Sequence, residues 1–210
     1  FIILPAMAGL ILLRYPIVHL VFEHGSFTKA DTLATATALL CYAVGLWAFA
    51  GVRIIVSAFY SLQDTRTPAV TAGIAVVANI ALSLWLMTIL DAAGLALATA
   101  LASMLNGSIL VAVLHRRLGR VDWSSIGRSA CRVLGACVPM ALICFWVAGA
   151  SMWTESGNWL VKSAALFGGI GLSITMYLGV HILLGSEELD VVMGMVKRKL
   201  GRVASKFGAK

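Results

Sequence analysis

One series of polar side chains lies within an otherwise apolar stretch and is the strongest candidate for a functional site. Arg53, Ser57, Ser61 and Asp64 follow at intervals of four, four and three residues, with Tyr60 at the edge of the series. At 3.6 residues per turn these side chains share one helix face. Such a face is typical of a wet cavity that holds an anionic group, or of an arginine that extends to the headgroups of the inner leaflet. Both interpretations stay open.

The composition identifies the surroundings of this series as a membrane. Of 210 residues, 60% are hydrophobic and only 12% are charged, and the mean hydropathy is +0.96. A soluble domain has about 45–50% apolar and about 25% charged residues. These values exclude a soluble enzyme, a nucleic-acid-binding protein and a disordered chain, and they predict an integral membrane protein.

The elements that must position the polar series are predicted to be six transmembrane helices. A first helix covers Phe1–Phe22 and is kinked or ends near Pro16, and residues 91–94 form a tight turn. Each other helix contains an uncharged run of 21 to 24 residues, long enough to cross about 30 Å of hydrocarbon. These runs are 32–52, 67–90, 92–115, 133–154 and 163–186. The fold class is therefore all-α, with a six-helix bundle over 1–186. Since the chain does not begin with Met, we expect a piece of a longer polypeptide.

The basic residues predict the orientation of the bundle. Twelve Lys and Arg residues fall in the links and tail on one side, against Lys29 and Lys162 on the other. This asymmetry predicts that the C-terminus is cytoplasmic. The aromatic residues Phe22, Phe27, Trp153 and Trp159 are predicted at the outer interface. The tail, 187–210, has apolar residues at helical spacing among basic ones, which predicts either an amphipathic helix on anionic inner-leaflet lipids or a solvated tail.

Other polar residues suggest binding or packing rather than catalysis. Asn79 and Asn106 lie within predicted spans, where they either line a cavity or hydrogen-bond between helices. The four histidines are expected to pair with no carboxylate at metal or catalytic spacing, and the four cysteines contain no CxxC pair. We therefore expect no metal, no cofactor and no enzymatic activity, and a transporter is the favoured class.

Two motifs resemble one known family. Residues 16–27 read PIVHLVFEHGSF, similar to the "PI…LFERGxF" signature of the MurJ/MviN family of lipid II flippases, although His24 stands where the family usually has Arg. Residues 63–68 read QDTRTP, like the family's loop of that sequence. The resemblance extends in order over about fifty residues. The motif residues are Glu23, Gly25, Phe27, Gln63, Asp64, Thr65, Arg66, Thr67 and Pro68, and their role is either loop geometry or gating.

The resemblance implies a partial second lobe of a two-lobed transporter of the MOP exporter superfamily. It implies helices nine to fourteen of fourteen, with the N-terminal lobe of the same chain missing here. The expected substrate is the lipid-linked disaccharide-pentapeptide on its undecaprenyl pyrophosphate carrier, moved across the bacterial inner membrane by alternating access. The family's last two helices form a groove for the lipid tail. The alternatives are a flippase for another lipid-linked saccharide and a non-transporting scaffold of cell-wall synthesis.

Overall fold

The computed structural model describes residues 1–23, 27–119, 123–150, 153 and 159–183, with side chains from residue 127 onward in the third range. Every long element in these ranges is an α-helix. The helices are α1 (Ile3–Leu12), α2 (Arg14–Phe22), α3 (Lys29–Val44), α4 (Leu46–Ser61), α5 (Arg66–Leu118), α6 (Trp123–Ala148) and α7 (Trp159–Leu183). Gly25 and the predicted amphipathic tail, 187–210, lie outside the described residues.

The predicted first helix is broken into α1 and α2, which meet at an angle of 70°. Proline in a helix clashes with the carbonyl four residues earlier and donates no hydrogen bond, so Pro16 disturbs the turn that begins at Leu12. The break accordingly falls at Leu13. The guanidinium of Arg14 donates to the Ile11 carbonyl at 2.8 Å. The predicted kink is thus present, three residues before the proline.

Helices α3 and α4 continue one another and together form an apolar segment of 33 residues, Lys29–Ser61. At 1.5 Å per residue this is about 50 Å, longer than the hydrocarbon layer. Thr28 and Asp31 cap its start reciprocally, each side chain accepting from the other's backbone N–H. The junction is Gly45, where a Cβ would stand 2.6 Å from the Cβ of Ala100. Glycine there allows close packing of this segment on α5.

Helix α5 is a hairpin of two arms, 66–90 and 92–118. Asp91 has φ 49° and ψ −129°, outside the helical region. Arg117 and Thr67 are fifty residues apart, or about 75 Å along a straight helix, yet their side chains are 3.4 Å apart. Gly94 packs on the backbone of Leu86 so closely that a Cβ would lie 2.2 Å from its carbonyl oxygen. The reversal is concentrated at Asp91, not spread over a turn of residues 91–94.

Helices α6 and α7 begin earlier than the hydropathy indicates. The sequence predicted spans from residues 133 and 163, whereas the helices start at Trp123 and Trp159. Arg128, Arg132 and Lys162 therefore lie in helices instead of links. The reason is that charged residues end an apolar run without ending a helix, since Lys and Arg are good helix formers.

The main buried cluster joins α1, α6 and α7, with Leu13, Val133, Cys144 and Tyr177 among its members. Trp153 belongs to it, with a relative exposure of 2%. Its indole N–H donates to the Val147 carbonyl at 2.7 Å. This hydrogen bond satisfies the indole within the protein and allows the ring to be buried, while the location of Trp153 at the outer interface stays a prediction.

Candidate functional site

The polar series predicted from the sequence lies on one exposed face of α4 except for Asp64, which falls outside the helix because α4 ends at Ser61 and the chain turns at Gln63. Arg53, Ser57, Tyr60 and Ser61 are all exposed, whereas Phe59 on the packed side has an exposure of 0%. A residue advances by about 100° around a helix axis, so residues 53, 57, 60 and 61 fall within about one quarter to one third of the circumference. The structure brings these four residues together on the side of α4 that faces away from α5.

The chemistry of this face is that of a single cation beside hydroxyl groups. Ser57 Oγ donates to the Ile54 carbonyl and Ser61 Oγ to the Ala58 carbonyl, each at 2.7 Å. Within the described ranges the guanidinium of Arg53 has no hydrogen bond or ion pair, so its five donors are available to a ligand. A planar guanidinium binds carboxylate or phosphate oxygens in pairs.

The two predicted asparagines lie apart from this face, one on each arm of α5. Asn79 is half-buried on the first arm, where its Oδ1 accepts from Ser83 Oγ at 3.4 Å. Asn106 is half-buried on the second arm, and its Oδ1 is buried with no partner among the described residues. In the part of the chain that the structure describes, neither residue is hydrogen-bonded to Arg53.

The QDTRTP segment forms a compact turn that starts α5. Gln63 has a positive φ of 58°. Asp64 accepts from the backbone N–H of Thr67 at 3.0 Å and from its hydroxyl at 2.6 Å. Pro68 is buried in the first turn of α5, where a missing N–H costs no helical hydrogen bond. Thr65 and Arg66 are exposed. These contacts account for Asp64, Thr67 and Pro68 by loop geometry.

The side chain of Arg117, at the C-terminal end of α5, contacts this turn because the hairpin brings the two ends of α5 together. Its Nη1 lies 2.7 Å from Asp64 Oδ2, and its Nη2 donates to Thr67 Oγ1 at 3.4 Å. The guanidinium also lies 6.0 Å from the centre of the Phe59 ring. The hydrogen bonds from Thr67, with the charge of Arg117, hold the pKa of Asp64 below its usual value although partial burial opposes this. The carboxylate is thus charged and fixed.

A second polar group, the His19 cluster, lies where α2 ends and α7 begins. It consists of His19, Glu23, Thr32 and Lys162. His19 Nδ1 is 2.6 Å from Glu23 Oε2, which also accepts from Thr32 Oγ1 at 2.9 Å. Lys162 Nζ lies 2.9 Å from His19 Nε2. The expectation that no histidine pairs with a carboxylate at metal or catalytic spacing is wrong for His19, because residues four apart on a helix are neighbours.

The electrostatics of the His19 cluster favour an ionised carboxylate. Partial burial raises the pKa of Glu23, but the hydrogen bonds from His19 and Thr32 and the positive charges of His19 and Lys29 lower it more. The net pKa lies below 4.5. Lys162 is buried, with an exposure of 7%. Within the described ranges, no three His, Cys, Asp or Glu side chains lie close enough to share a metal ion.

Comparison with known proteins decides the family. The sequence model described as "Lipid II flippase MurJ" matches residues 1–167. The chain belongs to the MurJ family. A probable lipid II flippase MurJ of Rhizobium meliloti is 33% identical over 201 residues, covering 94% of this chain and 37% of the relative. Its counterpart in Vibrio cholerae is 32% identical over 195 residues, covering 91% and 36%.

The fold of the MurJ family is also found in a solved structure. "Lipid II flippase MurJ, inward closed conformation" superposes with a TM-score of 0.62 at 23% identity, over 88% of this chain and 37% of the other. The chain spans a little over a third of the length of the curated relatives it matches. The family predicted from the two sequence motifs is confirmed, as is the all-helical class.

Of the first MurJ-like motif, residues 16–27, the structure describes 16–23 and 27. Glu23 anchors the His19 cluster, and the ring of Phe27 lies 6.1 Å from that of Phe22. His19 and Lys162 are the residues that the sequence analysis missed. The spacing of four between His19 and Glu23 was a usable signal, whereas Lys162 is 143 residues from His19 and nothing local indicates their contact.

An apolar groove of about 440 Å³ lies between α1, α6 and α7. Leu10, Met140, Ile174 and Leu178 are among its lining residues, and Tyr177 bounds it by donating to the Phe1 carbonyl at 2.7 Å. A second groove, of about 390 Å³, lies between α4 and the second arm of α5. The first groove includes both helices for which the family resemblance implied a tail-binding surface.

Proposed function

We propose that this chain forms part of a carrier that flips lipid II, the lipid-linked peptidoglycan precursor, across the bacterial cytoplasmic membrane by alternating access. The carrier is a transporter and not an enzyme. Membership of the MurJ family supports this function. The single observation that carries the proposal is the exposed cationic face of α4, because it offers an anion-binding group on an apolar bundle.

In this proposal the chain crosses the membrane six times and is the partial second lobe of a two-lobed protein. The crossings are the bent pair α1–α2, the joined pair α3–α4, the two arms of α5, and α6 and α7. Two contacts support this arrangement, since Arg117 meets Asp64 at one end of the bundle and Lys162 meets His19 at the other. The excess of basic residues supports a cytoplasmic location for the first of these ends and for the C-terminus.

The headgroup of the substrate would meet the face of α4. A charged side chain in the bilayer centre costs about 2.5–3.5 kcal/mol on insertion scales, which favours a water-filled cavity over lipid around Arg53. There the guanidinium would bind pyrophosphate oxygens bidentately. Ser57, Tyr60 and Ser61 would contact the polar part of the substrate, whereas Asn79 and Asn106, which lie on α5 apart from this face, would hydrogen-bond between helices.

The lipid tail would occupy the groove between α1, α6 and α7. Its lining is almost entirely apolar, and each buried methylene contributes about 0.8 kcal/mol. The basic tail, 187–210, would attract anionic lipids of the inner leaflet. The Glu23–Phe27 and QDTRTP segments would fix the ends of the helices between which the cavity opens.

Complementation of a flippase-depleted strain with the full-length protein tests this proposal. We expect Arg53→Ala to impair growth and Arg53→Lys to be intermediate, since lysine keeps the charge but loses the planar fork. Ile54→Ala is the matched control, because Ile54 is 69% exposed on the same helix but apolar, and it should grow normally. Normal growth of Arg53→Ala at equal protein level would refute headgroup binding and favour a scaffold.

A further inference from the structure

The groove between α4 and the second arm of α5, the α4–α5 groove, has no role in the proposed binding of lipid II. It has a volume of about 390 Å³, and its lining residues are mostly small or aliphatic, with Gly51, Ile55 and Val111 among them. The hydroxyl of Ser108, which also lines it, donates to the Met104 carbonyl at 2.8 Å. This hydroxyl is satisfied by its own helix, so the walls suit an apolar chain.

The α4–α5 groove is closed at one end by close packing of the two helices. A Cβ on Gly45 would lie 2.6 Å from the Cβ of Ala100, so the helices touch at that level. Further along α4, a Cβ on Gly51 would meet no atom within 4 Å. The groove therefore begins beyond the Gly45–Ala100 contact and widens toward the end of the bundle where Arg117 meets Asp64.

The length of the α4–α5 groove matches one leaflet of a membrane. On α5 its lining residues run from Met104 to His115, which corresponds to about 17 Å at 1.5 Å per residue. This is close to half of a hydrocarbon layer of about 30 Å. Since the groove runs along helices that cross the bilayer, it has the direction and the depth of a single acyl chain.

The open end of the α4–α5 groove carries basic side chains. His115 lines this end, and Arg116 follows the lining residue Ala112 by four positions, so it continues the same helix face. Arg116 is exposed, and among the residues that the structure describes it has no hydrogen bond or ion pair. The charge of the neighbouring Arg117 is offset by Asp64. The guanidinium of Arg116 is therefore available to an anion such as a phosphate.

We propose that the α4–α5 groove binds an anionic phospholipid of the inner leaflet, with one acyl chain between the two helices and the phosphate at Arg116. The apolar walls, the closed end at mid-bilayer and the cationic open end together fit such a lipid. The proposal rests on the orientation proposed above, in which the Arg117 end is cytoplasmic. It does not involve the cargo site, since Arg53 is not among the residues that line the groove.

Native mass spectrometry of the purified full-length protein, titrated with phosphatidylglycerol in the absence of lipid II, tests this site. Gly51→Leu should bind one lipid fewer than wild type, because its side chain would fill the groove without meeting a neighbour at Cβ. Gly73→Leu is the matched control, since Gly73 is equally open but lies on the first arm of α5. It should bind as many lipids as wild type.

Equal lipid numbers for wild type and Gly51→Leu would overturn the proposal. A dimer mass in that case would identify a second copy of the chain as the occupant of the groove. A monomer mass would indicate that another part of the full-length protein covers it.

Arg116→Gln is a second variant, and it leaves the walls of the groove unchanged. It should weaken phosphatidylglycerol binding about fivefold, the ratio that corresponds to about 1 kcal/mol per basic residue at an anionic surface, and leave phosphatidylcholine binding unchanged. Arg128→Gln, an exposed site on α6, removes the same charge away from the groove and should bind as wild type. Equal effects of the two substitutions would overturn the site. Growth of Arg53 variants bears on transport alone and leaves these results unaffected.

Discussion

Gly94→Ala should destabilise the protein because it breaks the packing of the α5 hairpin. The new Cβ would lie 2.2 Å from the Leu86 carbonyl oxygen and 2.5 Å from its carbon. Ordinary van der Waals contact begins at 3.4 Å, so the two arms would have to separate by 3.4 minus 2.2, about 1.2 Å. Both obstructing atoms belong to the backbone and cannot rotate away.

The magnitude follows from two opposing effects. Overpacking against an immovable backbone costs about 1–3 kcal/mol or more, and replacing glycine by alanine in a helix recovers at most about 1 kcal/mol. We expect a net loss of about 2 kcal/mol, or a melting temperature lower by at most about 4–8 °C, the shift for a unit of 150–250 residues, because the shift becomes smaller as the unfolding unit becomes larger. The assay is thermal unfolding of the purified full-length protein in detergent.

Gly73→Ala is the matched control on the first arm of the same hairpin. No atom lies within 4 Å of the position that a Cβ would take there, so alanine should leave the melting temperature unchanged or raise it slightly. Equal melting temperatures for Gly94→Ala and Gly73→Ala would show that the arms do not meet at Leu86. The reversal at Asp91 would then be refuted.

Three further predictions concern the helix ends and the α6–α7 contact. Arg117→Ala should increase hydrogen exchange at the start of α5, because Asp64 and Thr67 lose their partner. Unchanged exchange would contradict a stabilising role for these contacts. The depressed pKa of Glu23 means that its stabilising effect is full above about pH 4.5 and is lost as the pH falls through its lower folded-state value. Melting temperatures from pH 7 to 3 should therefore fall less in Glu23→Gln than in wild type, and parallel curves would contradict this. The Cβ of Gly169→Ala would first meet the side chain of Val147, with its Cγ2 at 2.7 Å. A rotating side chain can yield, so the melting temperature should fall less than in Gly94→Ala.

Much of the fold followed from the sequence because lipid imposes a simple rule. Apolar runs of about 20 residues between charges must be helices in a membrane, and the structure places α-helix over most of each predicted run, although α6 already ends at Ala148. The boundaries were less predictable, since charged residues such as Arg128 and Lys162 end the hydrocarbon span but continue the helix. Pro16 predicted the bend between α1 and α2 correctly, because its clash is local.

The candidate site was predictable only where its residues share one helix. The spacing from Arg53 to Ser61 placed four side chains on one face of α4, as the structure shows. Two contacts depend on how helices pack: the ion pair between Asp64 and Arg117 and the contact between His19 and Lys162. Periodicity in one segment carries no information about which distant segment meets it, so neither contact could be derived from the sequence.

Water accessibility along α4 tests the central claim most directly. Single cysteines at positions 53, 57 and 60 of the full-length protein, in a background without native cysteines, would be treated in intact membranes with a small, membrane-impermeant thiol reagent supplied to both sides. We predict rapid labelling at these three positions and slow labelling of Leu142→Cys, an exposed apolar site on α6. Equally slow labelling at positions 53 and 142 would show that Arg53 faces acyl chains, and the proposed cavity would be wrong.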